Sequence, residues 1–155
     1  MNEIGLAREE TLRVLQLVRQ GMPVADALGQ RSASQVLTSA DRALMTQMAY
    51  GVLRHRRYLD AWVEPYVRGP LEDDVRDILR MALFQLHFLD RVPQYAIVNS
   101  AVEQVKRVNP RAAGLMNALL HRCIEHPPAE NLPPAVEFSH PDWLVERWQQ
   151  RFGGR

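Results

Sequence analysis

The fold is decided by residues 72–89, EDDVRDILRMALFQLHFL. Three acids, Glu72, Asp73 and Asp74, stand where a helix would begin, and the positive end of a helix dipole favours negative charge there. Beyond them, apolar residues recur every three or four positions and form one seam, made of Val75, Leu79, Ala82, Leu86 and Leu89. So regular a seam predicts that this helix lies at the centre of a helical bundle.

The same helical period runs through most of the chain, and no segment alternates between apolar and polar residues as a half-buried strand would. The pattern predicts further helices over residues 6–20, 24–28, 40–66 and 96–108, and from Pro110 to Cys123. Ser39 is placed to cap the third of these. The run RHRR at residues 54–57 indicates a joint within that long helix. The fold class predicted is all-α.

A cluster of prolines separates this region from the end of the chain. Pro127, Pro128, Pro133 and Pro134 predict an extended linker, and a short amphipathic helix is expected over residues 142–152. We therefore divide the chain into a helical domain at residues 1–126 and, at residues 127–155, a linker that leads into something larger.

Composition excludes several classes of function. The single cysteine excludes an internal disulfide and a cysteine-based zinc site. No apolar stretch approaches the ~20 residues that span a bilayer, so a cytoplasmic location without membrane attachment is expected. Phosphate-loop, dinucleotide and HExxH motifs are missing. His121 and His126 are predicted at the surface and Cys123 in the core, so we expect no catalysis, metal or cofactor within this chain.

One basic cluster stands out against a formal net charge of +1. Arg54, Arg56 and Arg57 surround His55 and precede Tyr58, and arginine can fork onto phosphate and stack on bases. If the helix is continuous, Arg54 and Arg57 lie one turn apart and bracket a phosphate. The alternative is a solvated face paired with the nearby acids Asp60 and Glu64. The residues leave both interpretations open.

The order of four segments resembles the NusB-like domain. These segments are AREETLRVLQLVRQG at residues 7–21, DRALMTQMAYGVLRHRRYLD at 41–60, ILRMALFQLHFLDRVPQYAIVNSAVEQVKRV at 78–108 and GLMNALLHRC at 114–123. Transcription antitermination factors and the N-terminal part of Sun-type ribosomal RNA cytosine-C5 methyltransferases share this domain. The segment FSHPDWLVERWQQRFG at residues 138–153 looks more like the methyltransferase version.

The resemblance implies an antiparallel bundle of six to seven helices that binds small-subunit ribosomal RNA. It also implies a separate catalytic domain, not contained in this chain, that would use S-adenosylmethionine. Antitermination factors carry a dense N-terminal arginine run, where this chain has only Arg8 and Arg13. The expected RNA-binding residues are therefore Arg8 and Arg13 from the resemblance, and Arg54, Arg56 and Arg57 from the charge argument.

Two alternative functions stay open at this point. Under the first, the domain is an antitermination factor that binds RNA together with a small ribosomal protein. Under the second, it is a purely structural domain that packs against its own catalytic half in cis, with Trp143 and Trp148 in the interface.

Overall fold

A computed structural model describes residues 5–34, 37–89 and 91–128, and it is all-α over these ranges, as predicted. Seven α-helices follow one another: α1 Leu6–Arg19, α2 Val24–Ser34, α3 Ser39–Arg54, α4 Arg56–Val63, α5 Asp73–Phe88, α6 Gln94–Val108 and α7 Ala113–Glu125. Short 3₁₀ turns, Glu64–Tyr66 and Pro110–Ala112, precede α5 and α7. None of the helices in these ranges is long and apolar enough to cross a membrane. The helix expected over residues 142–152 lies outside the described residues.

Helix α5 is the centre of the bundle, as its sequence predicted. It contacts α1, α3, α4, α6 and α7. Val75, Leu79 and Ala82 of the predicted seam are fully buried, while Leu86 and Leu89 are half-buried at its edge. Ile78, Met81 and Leu83 are buried as well. A helix that is apolar on nearly all sides is stable only when neighbours surround it, which is what the other helices do.

Two predicted boundaries were wrong, one because of a local contact and the other because of a tertiary contact. Helix α3 is capped by Thr38 rather than Ser39, because Thr38 has an extended backbone and its hydroxyl accepts a hydrogen bond from the Asp41 amide at 3.0 Å. Helix α2 runs well past residue 28. Its later turns gain a tertiary partner, since Arg31 Nε donates to the buried Glu10 of α1 at 2.6 Å.

The predicted joint within residues 54–57 is confirmed. The His55 amide donates the last hydrogen bond of α3 to the Gly51 carbonyl, and the His55 carbonyl accepts the first bond of α4 from Leu59. His55 itself, with φ −105° and ψ 18°, leaves the helical conformation. The chain therefore turns a corner at this residue, and two separate helices carry the basic cluster.

A charged network fixes α4 against α5. Asp60 of α4 accepts hydrogen bonds from Arg80 Nε and a terminal nitrogen at 2.8 and 2.9 Å, and Arg80 also donates to Asp77 at 3.0 Å. Burial alone would lower the pKa of Arg80, but Asp60 and Asp77 outweigh that effect and raise it. Asp77 Oδ2 is buried without a hydrogen bond, although Arg19 Nε lies 3.3 Å away. Burial raises the pKa of Asp77 above its ordinary value.

We predict that Gly51→Ala lowers the free energy of unfolding by about 1–3 kcal/mol, the usual cost of overpacking a core. A Cβ atom at this position would lie only 2.1 Å from Phe84 Cε1, and the Phe84 ring is buried. Urea unfolding would measure the change.

Gly29→Ala in the middle of α2 is the matched control. A Cβ there meets nothing within 4 Å, so the substitution should raise stability by up to about 1 kcal/mol through helix propensity. A Gly51→Ala variant as stable as the original chain would contradict the close approach of α3 to α5.

We also predict that Cys123 does not react with thiol reagents in the folded chain. It is fully buried on α7, as expected from the sequence, and burial raises its pKa to about 12. At pH 8 such a thiol is ionised to about one part in ten thousand, and the thiolate is the reactive species. A colorimetric thiol assay should detect one thiol per chain only after urea is added. Equal reaction rates with and without urea would contradict the burial.

Candidate nucleic-acid interface

The predicted basic cluster forms an exposed corner between two helices. Arg54 is the last residue of α3, and Arg56 and Arg57 are the first two residues of α4. All three side chains are exposed, whereas Tyr58 is buried. We call Arg54, Arg56 and Arg57 the arginine corner. Because the chain breaks at His55, the corner is not the continuous helical face imagined from the sequence, and Tyr58 belongs to the core rather than to a stacking surface.

The arginine corner combines side-chain charge with the positive end of a helix. Helix α4 has no acidic residue in its first turn and no side-chain cap. Helix N-termini usually attract acids, because their backbone N–H groups carry partial positive charge. Placing Arg56 and Arg57 there adds positive charge to an already positive end. Arg54 ends α3 in the same corner, where the helix dipole is negative, so it is chiefly the three guanidinium groups that suit an anion such as a backbone phosphate.

Aromatic packing holds the corner against the C-terminal half of α5. The His55 ring stacks on Phe88 with centroids 4.5 Å apart, and Phe88 stacks on Phe84 at 5.1 Å. The rings of His55, Phe88 and Phe84 thus join the corner to the last two turns of α5. One turn further along, Tyr58 Oη lies 2.9 Å from His87 Nε2. Sequence reasoning missed this support: Phe84 and Phe88 share a helix face by spacing, but nothing in the sequence identified His55 as their partner.

The acid expected to neutralise the cluster has another strong partner. Asp60 uses both carboxylate oxygens for Arg80, as described above. Glu64, the second acid considered, is exposed in the 3₁₀ turn that follows α4. Asp60 is thus held towards α5 by Arg80.

Arg8 occupies a different environment from the corner. Its side chain is half-buried, and Nε donates to Gln85 Oε1 of α5 at 2.8 Å. Its backbone carbonyl accepts a hydrogen bond from the Gln104 amide of α6 at 3.1 Å. Burial lowers the pKa of the Arg8 guanidinium below its ordinary value. Arg8 therefore ties α1 to α5 and α6, a role that the sequence did not reveal.

Arg13 lies apart from the corner, in a groove between α1 and α6. The side chain is exposed, and the groove encloses about 330 Å³. Arg107 of α6 borders the same groove and forms an ion pair with Glu9 of α1. Arg19, at the end of α1, bonds to Asp74 at the start of α5, far along that helix from Phe88. The five predicted residues thus form two groups: the arginine corner, and two arginines on α1.

The histidines and the cysteine of the described residues do not form a metal site. The described ranges contain no group of three or more His, Cys, Asp or Glu side chains placed to hold a metal ion. His121 and His126 are exposed, as predicted, and the His126 ring stacks on Tyr66 at 6.0 Å. Cys123 is too deeply buried and too weakly acidic to act as a nucleophile.

Comparison with known proteins gives a consistent result. The model of the NusB family matches residues 6–125. Ribosomal RNA small subunit methyltransferase B of Thermus thermophilus is 43% identical over 115 residues, which cover 73% of this chain and 27% of that protein. A probable ribosomal RNA small subunit methyltransferase B of Bacillus subtilis is 32% identical over 134 residues, 77% of this chain and 29% of that protein.

A third relative matches a larger share of the chain. Ribosomal RNA small subunit methyltransferase B of Vibrio cholerae is 32% identical over 151 residues, 87% of this chain and 34% of that protein. The chain therefore spans about a third or less of the length of the curated relatives it matches.

Proposed function

The chain belongs to the NusB family, and we propose that it is an RNA-binding domain that docks small-subunit ribosomal RNA through the arginine corner. The observation that carries this proposal is the corner itself: three exposed arginines at the junction of α3 and α4, two of them at the N-terminal end of a helix. Phosphate contacts supply most of the affinity of nucleic-acid binding, and arginine makes them in a bidentate geometry.

The domain would hold the RNA near a catalytic domain and would not itself catalyse a reaction. Its relatives are named as small-subunit ribosomal RNA methyltransferases and are about three times its length. In such a protein, a tethered RNA-binding domain raises the effective concentration of the RNA at the catalytic domain. We propose that the parent enzyme methylates cytosine at C5 with S-adenosylmethionine as donor. The donor site would lie outside this chain, and the described helices would hold and orient the RNA.

The two alternatives make different use of the bundle. Packing on a catalytic domain in cis has one observation in its favour: Leu115 of α7 is 45% exposed beside a small apolar groove lined by Val67, Leu71 and Leu119. This role is compatible with RNA docking, since α7 is a separate surface from the corner. An antitermination factor that binds a small ribosomal protein has less support, because the relatives are named as methyltransferases.

We predict that replacing the three arginines of the corner by alanine weakens RNA binding and reduces its salt dependence. Each phosphate contact contributes about 0.7–0.9 to the slope of log K against log salt concentration, so losing three contacts should flatten the slope by about 2–3. Fluorescence anisotropy with a labelled fragment of small-subunit ribosomal RNA at several salt concentrations would measure it.

The matched control removes the same charge elsewhere. Arg42, Arg68 and Arg111 are exposed and lie outside the corner, so their alanine variant should keep a slope close to that of the original chain. If both triple variants lose affinity and slope equally, the binding depends on overall charge and the corner has no special role. If neither variant changes the slope, RNA docks on another surface.

A further inference from the structure

A cleft lies beside the arginine corner. Phe88, whose ring packs against His55 of the corner, is one of the residues that line it. The cleft encloses about 430 Å³ between α3 and the turn from α5 to α6, and its lining residues are Leu44, Gln47, Phe88, Leu89, Arg91 and Val92. The volume is large enough for a flat group of the size of a nucleobase. Four of the six lining residues are apolar, and the other two end in groups that form hydrogen bonds.

Phe88 is the residue that joins the cleft to the corner. The ring stacks on His55 and Phe84, and His87 meets it edge-on at 4.5 Å, yet 38% of Phe88 stays exposed. An aromatic ring that is held by its neighbours and still partly exposed is prearranged for contact with a further ring. Little conformational freedom is left to lose when a ligand binds to it.

Most of the large hydrophobic side chains that are exposed are aromatic, and two of them follow residues of the cleft closely along the chain. Within the described ranges, four large hydrophobic side chains are exposed, and three of them are Tyr50, Phe88 and Tyr95. Tyr50 follows Gln47 of the cleft by three residues along α3, and Tyr95 follows Val92 by three residues at the start of α6. Exposed aromatics next to cationic side chains are typical of surfaces that bind single-stranded nucleic acid.

We propose that this cleft binds one unpaired base of the RNA strand whose phosphates contact the arginine corner. The proposal rests on the function proposed above and specifies its substrate as single-stranded rather than fully paired RNA. The base packs on the exposed part of Phe88, and the Gln47 amide, which both donates and accepts, bonds to the base edge. Arg91 at the rim contacts a neighbouring phosphate.

Charge complementarity favours a nucleic-acid strand over an apolar peptide as the occupant. Arg91 lies on the cleft, and the corner adjoins it through the contact between His55 and Phe88. A strand that crosses this surface can place phosphates on the arginines while one of its bases enters the cleft. Paired RNA cannot do this, because its bases are stacked inside the helix.

The test compares single-stranded and paired RNA with the full chain and with Phe88→Leu. The probe is an RNA strand of about 12 nucleotides, alone and annealed to its complement. Leucine keeps the side chain apolar but removes the stacking ring. We expect Phe88→Leu to lower the ratio of single-strand to duplex affinity by about 5- to 100-fold. The ratio is the readout because Phe88 also packs on His55, so a displacement of the corner would weaken binding of both RNAs alike. Phe88→Tyr keeps the ring and should restore single-strand affinity.

A second readout does not depend on the stability of Phe88→Leu. A strand carrying 2-aminopurine should gain fluorescence on binding, because the base leaves the neighbouring bases that quench it in the free strand. Gln47→Ala should weaken single-strand binding several-fold with no effect on the duplex. Gln47 is exposed, so this variant is expected to fold normally.

Three results would overturn the base-binding proposal in different ways. If single-strand binding needs the arginine corner but neither Phe88 nor Gln47, the cleft does not bind a base, and the proposal that the corner docks RNA is unaffected. If the original chain binds neither RNA, both the base-binding proposal and the docking function are contradicted. Dimerisation in sedimentation equilibrium that Phe88→Leu abolishes, with unchanged RNA affinity, would assign the cleft to a second copy of the chain.

Discussion

The packing of the junction between α3 and α4 onto α5 is the interaction on which the rest of the structure depends. Gly51 lets α3 approach so closely that a Cβ atom there would lie 2.1 Å from the Phe84 ring. The chain then breaks at His55, whose ring stacks on Phe88. This contact directs the exposed arginines outward at the end of one helix and the start of the next. A larger residue at position 51 would move α3, and with it the corner.

The two ends of α5 have opposite character, which explains how a nearly neutral chain can present a basic surface. At its N-terminal end, Arg19 is bonded to Asp74, and further along Arg80 is bonded to Asp60. These arginines are part of the bundle's internal network. Asp77 Oδ2 lies within it without a hydrogen bond, 3.3 Å from Arg19 Nε, and burying such a charge costs desolvation energy. At the C-terminal end aromatic rings pack together, and the arginines of the corner are exposed.

The sequence predicted what depends on local pattern. The central position of α5, the all-α class, the joint at residues 54–57 and the burial of Cys123 followed from helical spacing and charge. The sequence could not predict features that depend on contacts between residues far apart in the chain. Helix α2 extends past residue 28 with Arg31 bonded to Glu10 of α1, and Arg8 is half-buried against Gln85, seventy-seven positions away. Composition and spacing carry no information about such pairs. The RNA-binding roles assigned to individual arginines stay predictions.

The most direct test of the central claim, that the corner between α3 and α4 is the nucleic-acid interface, is an NMR titration. The nitrogen-15-labelled chain would be titrated with a single-stranded fragment of small-subunit ribosomal RNA, and the backbone amide shifts would be followed. The account predicts that the largest shifts fall at residues 54–57 and at the end of α5 near Phe88. Shifts concentrated in the groove between α1 and α6, around Arg13 and Arg107, would contradict it and move the interface to that groove.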